Sequence, residues 1–172
     1  MAYRIAVLDD DKKELHKTEE LFSLYGETHP QYKLEITYFQ EIRPFMDAVC
    51  SGDGKEEWAF DILLMDVYLP DGNGIKSARV LREKGYKGVI IFKSSSEEDA
   101  IRAYSVSALH YLVKPVAQDK FFKAIEKAVQ KSDLLMKTDA EVQPGNDGGD
   151  EKNQTESSLW NNFIKWIQRK IE

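Results

Sequence analysis

Tyr3-Arg4-Ile5-Ala6-Val7-Leu8-Asp9-Asp10-Asp11 is a short apolar run that stops abruptly on three carboxylates. A strand covered on both faces of a parallel sheet reads as an unbroken apolar run, and it ends this way where the chain leaves the sheet. The period then changes. Leu15, Leu21, Phe22, Leu24 and Tyr25 recur at helical spacing among lysines and glutamates, and Gly26 with Pro30 closes the segment. Strand, acidic turn and helix form one unit.

The unit repeats outward from there. Leu34, Ile36 and Tyr38 lead into Phe39, and Phe45, Met46, Val49 and Cys50 make an apolar face before Ser51-Gly52-Asp53-Gly54. Phe60 to Met65 predicts a third strand, ending at Asp66. A loop Leu69-Pro70-Asp71-Gly72-Asn73-Gly74 precedes a helix carrying Ile75, Ala78, Val80 and Leu81 as far as Gly85. Val89 to Phe92 predicts a fourth strand, and Ser94-Ser95-Ser96 with Glu97 and Glu98 carries helix-start signals. Ala100, Ile101, Tyr104 and Ala108 continue that helix, Tyr111 to Val113 is a fifth strand stopped by Lys114-Pro115, and a last helix spans about Gln118 to Met136. Strands alternating with helices in this way make parallel βαβ units, so the expected fold is α/β in three layers.

Composition bounds the rest. At 172 residues, 42% of them hydrophobic, the chain is long enough for one compact core with an appendage. The single cysteine, Cys50, allows no internal disulfide and suits a reducing compartment, so the cytoplasm is the expected location. No stretch approaches the roughly 20 apolar residues that span a bilayer, and no leader is recognised. The formal net charge of −6 opposes direct binding to nucleic acid, which needs a basic face.

The informative acids are local. In an open parallel sheet, ligands sit beyond the carboxyl ends of the strands, and Asp9, Asp10, Asp66, Ser94 and Lys114 all fall at such ends. Carboxylates crowded to about 4 Å repel by about 4 kcal/mol per pair at an effective dielectric near 20, so they call for a cation. Oxygen-only ligands select a hard ion, and the small one that keeps waters and bridges to phosphate is Mg²⁺. Zinc is disfavoured because His16, His29, His110 and Cys50 are not placed with these acids. A carboxylate so neutralised can attack phosphorus, and Lys114 adds a second positive charge. Taken singly, each residue has an ordinary explanation: Asp9 to Asp11 as a solvated helix start, Asp66 as a turn residue, Ser94 as a helix cap, Lys114 as a surface charge. Their joint occurrence, in this order, is what points to a site.

The four segments Ile5 to Asp11, Asp61-Ile62-Leu63-Leu64-Met65-Asp66-Val67-Tyr68-Leu69-Pro70-Asp71-Gly72-Asn73-Gly74, Ile91-Phe92-Lys93-Ser94 and Tyr111-Leu112-Val113-Lys114-Pro115 together resemble two-component response-regulator receiver domains. The resemblance covers Tyr3 to about Met136 and is nearest to receivers attached to LytTR-type DNA-binding domains. It implies a flavodoxin-like, doubly wound, five-stranded parallel sheet of order 2-1-3-4-5 with helices on both faces. It further implies Asp66 as phosphoacceptor, Asp10 as direct Mg²⁺ ligand, Asp9 as a ligand through water and the Tyr68 carbonyl as a further metal oxygen, with Asp11 outside the inner shell. Lys114 is then expected to contact the phosphoryl oxygens, Ser94 to hydrogen-bond one of them, and Tyr111 to swing inward as Ser94 moves. The implied partners are a sensor histidine kinase and a downstream protein, or a second copy, meeting the face formed by 97–136. Two departures stand out. Lys93 occupies a place that is usually apolar and so bears on the field of the site, and Ser94 replaces the more frequent threonine while keeping its hydroxyl.

The expected organisation is a receiver over 1–136, an acidic linker over 137–158 rich in glycine and acids, and an amphipathic helix over 159–172. Leu159, Trp160, Phe163, Ile164, Ile167 and Ile171 lie on one face of that helix. It folds back or self-associates, binds a partner groove, or lies on a membrane with Trp160 and Trp166 at the interface; intramolecular or self-association comes first. A LytTR-type output domain needs roughly another hundred residues. The chain is therefore either a stand-alone receiver or a piece of something longer. Two other functions compete: an aspartyl-phosphate phosphatase or phosphotransferase, which typically carries a second Asp where this chain has Tyr68, and a receiver that docks without phosphate. At most, the receiver phosphorylates and dephosphorylates itself.

Overall fold

The computed structural model describes residues 2–51 and 58–141. The elements run β1 (Ala2–Leu8), α1 (Lys12–Thr28), β2 (Lys33–Phe39), α2 (Ile42–Val49), β3 (Ile62–Asp66), β4 (Tyr68–Leu69), β5 (Gly72–Asn73), α3 (Gly74–Glu83), β6 (Val89–Ser94), α4 (Ala100–Tyr104), β7 (His110–Val113) and α5 (Gln118–Glu141). Five strands form one parallel sheet in the order β2-β1-β3-β6-β7. Setting aside the two-residue ribbon of β4 and β5, this is the expected 2-1-3-4-5 order.

Burial explains the patterning. The central strands β3 and β6 are buried at every position, which is why 62–65 and 89–92 read as unbroken apolar runs ahead of the polar residues that end each strand, whereas the edge strand β2 alternates exposed and half-buried residues. Successive side chains point to opposite faces. Ala6, Leu8, Leu63, Met65, Ile90 and Phe92 pack with Phe45 and Val49 of α2, Ile75 and Leu81 of α3 and Ala103 of α4. Ile5, Val7, Ile62, Leu64, Val89 and Ile91 face the other way, onto Phe22 and Tyr25 of α1 and Phe121 and Ile125 of α5. The sheet is thus a middle layer with α2, α3 and α4 on one side and α1 and α5 on the other.

The structure departs from the sequence reading in several places. The run 69–74 is not a plain loop, because Tyr68 pairs antiparallel with Asn73 and Leu69 with Gly72. Asp71, at the tip of this ribbon, accepts the Ile42 N–H at 2.7 Å and so caps α2, whose own Glu41 makes no cap bond. The strand β6 continues through Ser94, and the serines and glutamates after it form bends before α4 begins at Ala100. That helix is five residues long and ends at Tyr104, short of Ala108. Val106 and Ala108 are buried as loop residues, and Ser107 takes a positive φ of 53°, which no helix continues. At the other end α5 runs five residues past Met136, since no glycine or proline stands before Pro144. The remainder of the expected linker and the whole 159–172 helix lie outside the described residues.

Candidate functional site

The carboxyl ends of β1, β3, β6 and β7 meet at one edge of the sheet. Asp9 leaves β1 fully buried; its N–H donates to the Phe39 carbonyl at 3.1 Å, and its Oδ1 accepts the Asp11 N–H at 3.1 Å. Asp10 is exposed. Asp11 turns its own carboxylate to the Lys13 N–H, 2.8 Å away, as the N-cap of α1, in keeping with a place outside the inner shell. Asp66 ends β3, and one carboxylate oxygen from each of Asp9, Asp10 and Asp66 falls within 4.8 Å of the others. The structure therefore brings the three predicted acids together from segments more than fifty residues apart. Oxygen donors at that spread, two of them on buried residues, fit a small hard dication.

Asp66 is held at both oxygens. Its Oδ1 accepts the Tyr68 N–H at 3.2 Å, and its Oδ2 accepts from the Lys114 ammonium at 2.6 Å. The backbone around it leaves no slack: a Cβ on Gly74 would lie 2.0 Å from the Asp66 carbonyl oxygen, so the ribbon closes over Asp66 only with glycine there. Burial pushes the Asp66 carboxyl above its ordinary value, against the pull of Lys114. For Lys114, burial pulls the ammonium down, but the neighbouring carboxylates of Asp66 and Asp9 outweigh that and raise it.

Lys114 reaches this position through the sheet. Its N–H donates to the Ser94 carbonyl at 2.7 Å, while Ser94 pairs in register with Val113, and the Lys114–Pro115 bond is cis. From there Lys114 Nζ sits 3.0 Å from Asp9 Oδ2 as well as on Asp66. Ser94 is fully buried and its Oγ accepts the Ser96 N–H at 3.3 Å. The Tyr111 hydroxyl donates to the Ser96 carbonyl, so Ser94 and Tyr111 hold the same loop residue from two sides. Burial also raises the Tyr111 phenol. A second tyrosine grips the loop further on, where the Tyr68 hydroxyl donates to Asp99, itself paired with Arg102 at 3.3 Å. The sequence presents Ser96 only as a helix-start signal and does not mark Asp99, since the tyrosines that grip them lie in other strands.

Lys93, the noted departure, is part of the cluster. It is 2% exposed, and its ammonium lies 3.0 Å from Asp9 Oδ2, 2.8 Å from Thr18 Oγ and 3.7 Å from Glu14 Oε2. Asp9 Oδ2 thus has two ammonium groups at 3.0 Å, neither aligned as a hydrogen bond. Lys93 also borders a cavity of about 140 Å³ between α1 and the start of α5, lined further by Pro115 and Phe121.

Residues 5–126 match the family model for the response regulator receiver domain. The chain belongs to that family. As a receiver, it is a signalling domain switched by phosphorylation, not an enzyme of the ordinary kind. It is 28% identical over 115 residues to the sensory transduction protein LytT of Bacillus cereus, covering 65% of this receiver's chain and 46% of that protein. It is 26% identical over 142 residues to LytT of Bacillus subtilis, covering 83% and 54%. The receiver chain spans about half the length of these curated relatives. A solved receiver domain of an HD domain-containing protein from Pseudomonas fluorescens Pf-5 superposes with a TM-score of 0.65 at 13% identity, over 78% of this chain and 99% of that one, and shows the common fold. Among the described residues no helix is long and apolar enough to cross a membrane.

Proposed function

We propose that this receiver accepts a phosphoryl group on Asp66 from the phosphohistidine of a sensor kinase and relays the event to a protein-contact surface. The observation that carries the reading is the convergence of Asp9, Asp10 and Asp66 within 4.8 Å, with Lys114 on Asp66 at 2.6 Å. In the transfer a bond forms between an Asp66 carboxylate oxygen and phosphorus, the phosphorus–nitrogen bond of the donor breaks, and the imidazole leaves. Asp10, Asp66, the Tyr68 carbonyl and, through water, Asp9 are the groups that would hold Mg²⁺, which would supply charge neutralisation for the incoming anion. Lys114 is already seated on the accepting carboxylate and can follow charge onto the phosphoryl oxygens.

The readout follows from the bonds of Ser94. When its Oγ turns to a phosphoryl oxygen it gives up the Ser96 N–H, and the Tyr111 hydroxyl on the Ser96 carbonyl is loosened with it. The loop into α4 and the 97–136 face beyond it then change packing, and one or two charge-assisted bonds are large enough to shift such a balance. That face meets a downstream protein or a second copy. We place the receiver in the cytoplasm, over 1–141 with α5 included, followed by an acidic linker and a C-terminal helix. The resemblance to receivers of LytTR-type regulators supports a link to transcription control through a missing or separate output domain.

Incubation with acetyl phosphate and Mg²⁺, followed by intact mass measurement, is expected to show one labile phosphoryl adduct that Asp66→Ala lacks. Steady release of phosphate from unrelated organic esters, without an adduct, would instead support a phosphatase.

A further inference from the structure

We propose that Lys93 is a built-in counter-ion of the acidic cluster, whose buried ammonium occupies Asp9 and sets a weaker affinity for Mg²⁺ than the carboxylates would otherwise have. The inference rests on the reading of Asp9, Asp10 and Asp66 as the metal-holding acids, and it concerns what this chain adds to them.

The geometry carries it. Lys93 and Asp9 are both almost wholly buried, and their charged atoms lie 3.0 Å apart. A buried charge of either sign is tolerated only with its partner, so the pair is a fixed part of the site, not a surface contact that salt dissolves. The ammonium is aimed from behind. Thr18 Oγ accepts from it at 2.8 Å and donates its own hydroxyl hydrogen bond to the Glu14 carbonyl at 2.8 Å, which keeps the Lys93 head in place whether or not Asp9 has another cation. Lys114 already lies 3.0 Å from the same Asp9 oxygen. Glu14, 3.7 Å from Lys93, is matched by Lys17 at 2.7 Å, so Asp9, Asp10 and Asp66 facing Lys93 and Lys114 leave one net negative charge for a dication, where Lys114 alone would leave two. Because neither ammonium is free to withdraw into solvent, a cation entering beside Asp9 meets their field at short range and little screened.

Lys93→Met keeps the stem in the apolar interior and removes only the charge. Calorimetric binding isotherms of MgCl₂ with the full chain are expected to show about tenfold or greater tightening in Lys93→Met relative to the parent, the size of effect a unit charge a few Å from the ion exerts through a partly screened interior. Thr18→Val, which keeps the ammonium but removes its rear partner, is expected to push Lys93 harder onto Asp9 and weaken Mg²⁺ about twofold to threefold. A merely structural Lys93 would change unfolding and leave these isotherms alone. Equal Mg²⁺ affinity in the folded Lys93→Met variant and the parent overturns the proposal while leaving the phosphoacceptor reading intact. If Lys93→Met folds only when Mg²⁺ is added, as far-ultraviolet circular dichroism would show, the proposal is supported. If it does not fold even then, an unchanged affinity in Thr18→Val overturns it. Absence of Mg²⁺ binding in every variant, together with no acetyl phosphate adduct on Asp66, overturns both readings.

Discussion

At the scale of single residues, the acceptor is positioned by what cannot be added as much as by what is present. Gly74 opens α3 directly against the Asp66 carbonyl, its N–H donating to Val67 at 2.9 Å, and the space for a side chain there is occupied by backbone. Gly74→Ala must therefore move the Asp66 main chain or the ribbon above it. We expect it to cost about 3 kcal/mol in urea unfolding, typical of a steric conflict with backbone in a packed interior, and to slow acetyl phosphate labelling as well. Labelling at the parental rate in a fully stable variant would show that the contact is slack. The acids themselves were legible because each ends an apolar run, a signal confined to a few adjacent residues. Lys93 was legible only as an oddity. Its partners Asp9, Glu14 and Thr18 stand at least 75 residues earlier in the chain, and only the sheet register that seats Lys93 beside Asp66 brings them to it.

At the scale of elements, the strands and α1, α2 and α3 could be read because burial on one or both faces leaves a period in the sequence, whereas the stretch from Ser94 to Leu109 could not. Its apolar residues Ala103, Val106 and Ala108 are buried by a five-residue helix and a turn, so their spacing imitates a longer helix. What holds that turn is Arg82 at the end of α3. Its guanidinium donates to the carbonyls of Val106 at 3.0 Å, Tyr86 at 2.7 Å, Gly88 at 2.8 Å and Ser107 at 3.3 Å, tying α3 to the loop before β7. Arg82→Met is expected to lose about 2 to 3 kcal/mol of stability, and Arg82→Lys to recover little of it, because an ammonium lacks the planar fork that serves several carbonyls at once. Recovery of full stability by lysine would contradict this account. On β7 itself, burial, with Lys127 adding to it, pulls the His110 imidazole from 6.5 down to about 4. Between those values the unfolded chain takes up a proton that the folded chain refuses, so stability falls as pH falls through that window. Measured between pH 7.5 and 4.5, the parent is expected to lose about 2 kcal/mol relative to His110→Gln, which has no such proton to bind. Parallel pH profiles for the two proteins would place His110 in contact with solvent.

At the scale of the whole molecule, one edge of the sheet carries the function and the same edge limits stability. Charges gathered at the strand ends serve phosphoryl transfer, yet in the absence of a dication they repel across the junction of β1, β3 and β6, the strands on which both cores are built. A ligand that binds the folded chain and not the unfolded one stabilises it by mass action, about 2.7 kcal/mol at a hundred times its dissociation constant. The unfolding midpoint is accordingly expected to rise steadily with the logarithm of Mg²⁺ concentration above the dissociation constant. Asp10 is the discriminating position, since its side chain is exposed and makes no bond that the fold needs, while it completes the 4.8 Å cluster. Asp10→Asn is expected to leave the midpoint without Mg²⁺ unchanged or slightly raised, by relief of repulsion, and to flatten the Mg²⁺ dependence. Asp9→Asn is expected to do something different, because it takes the near carboxylate from the buried Lys93 ammonium and one of two from Lys114, and must lower the midpoint before any metal is added. If the two substitutions behave alike in the absence of Mg²⁺, the distinction drawn between an outer acid that holds the metal and an inner acid shared with lysines is wrong.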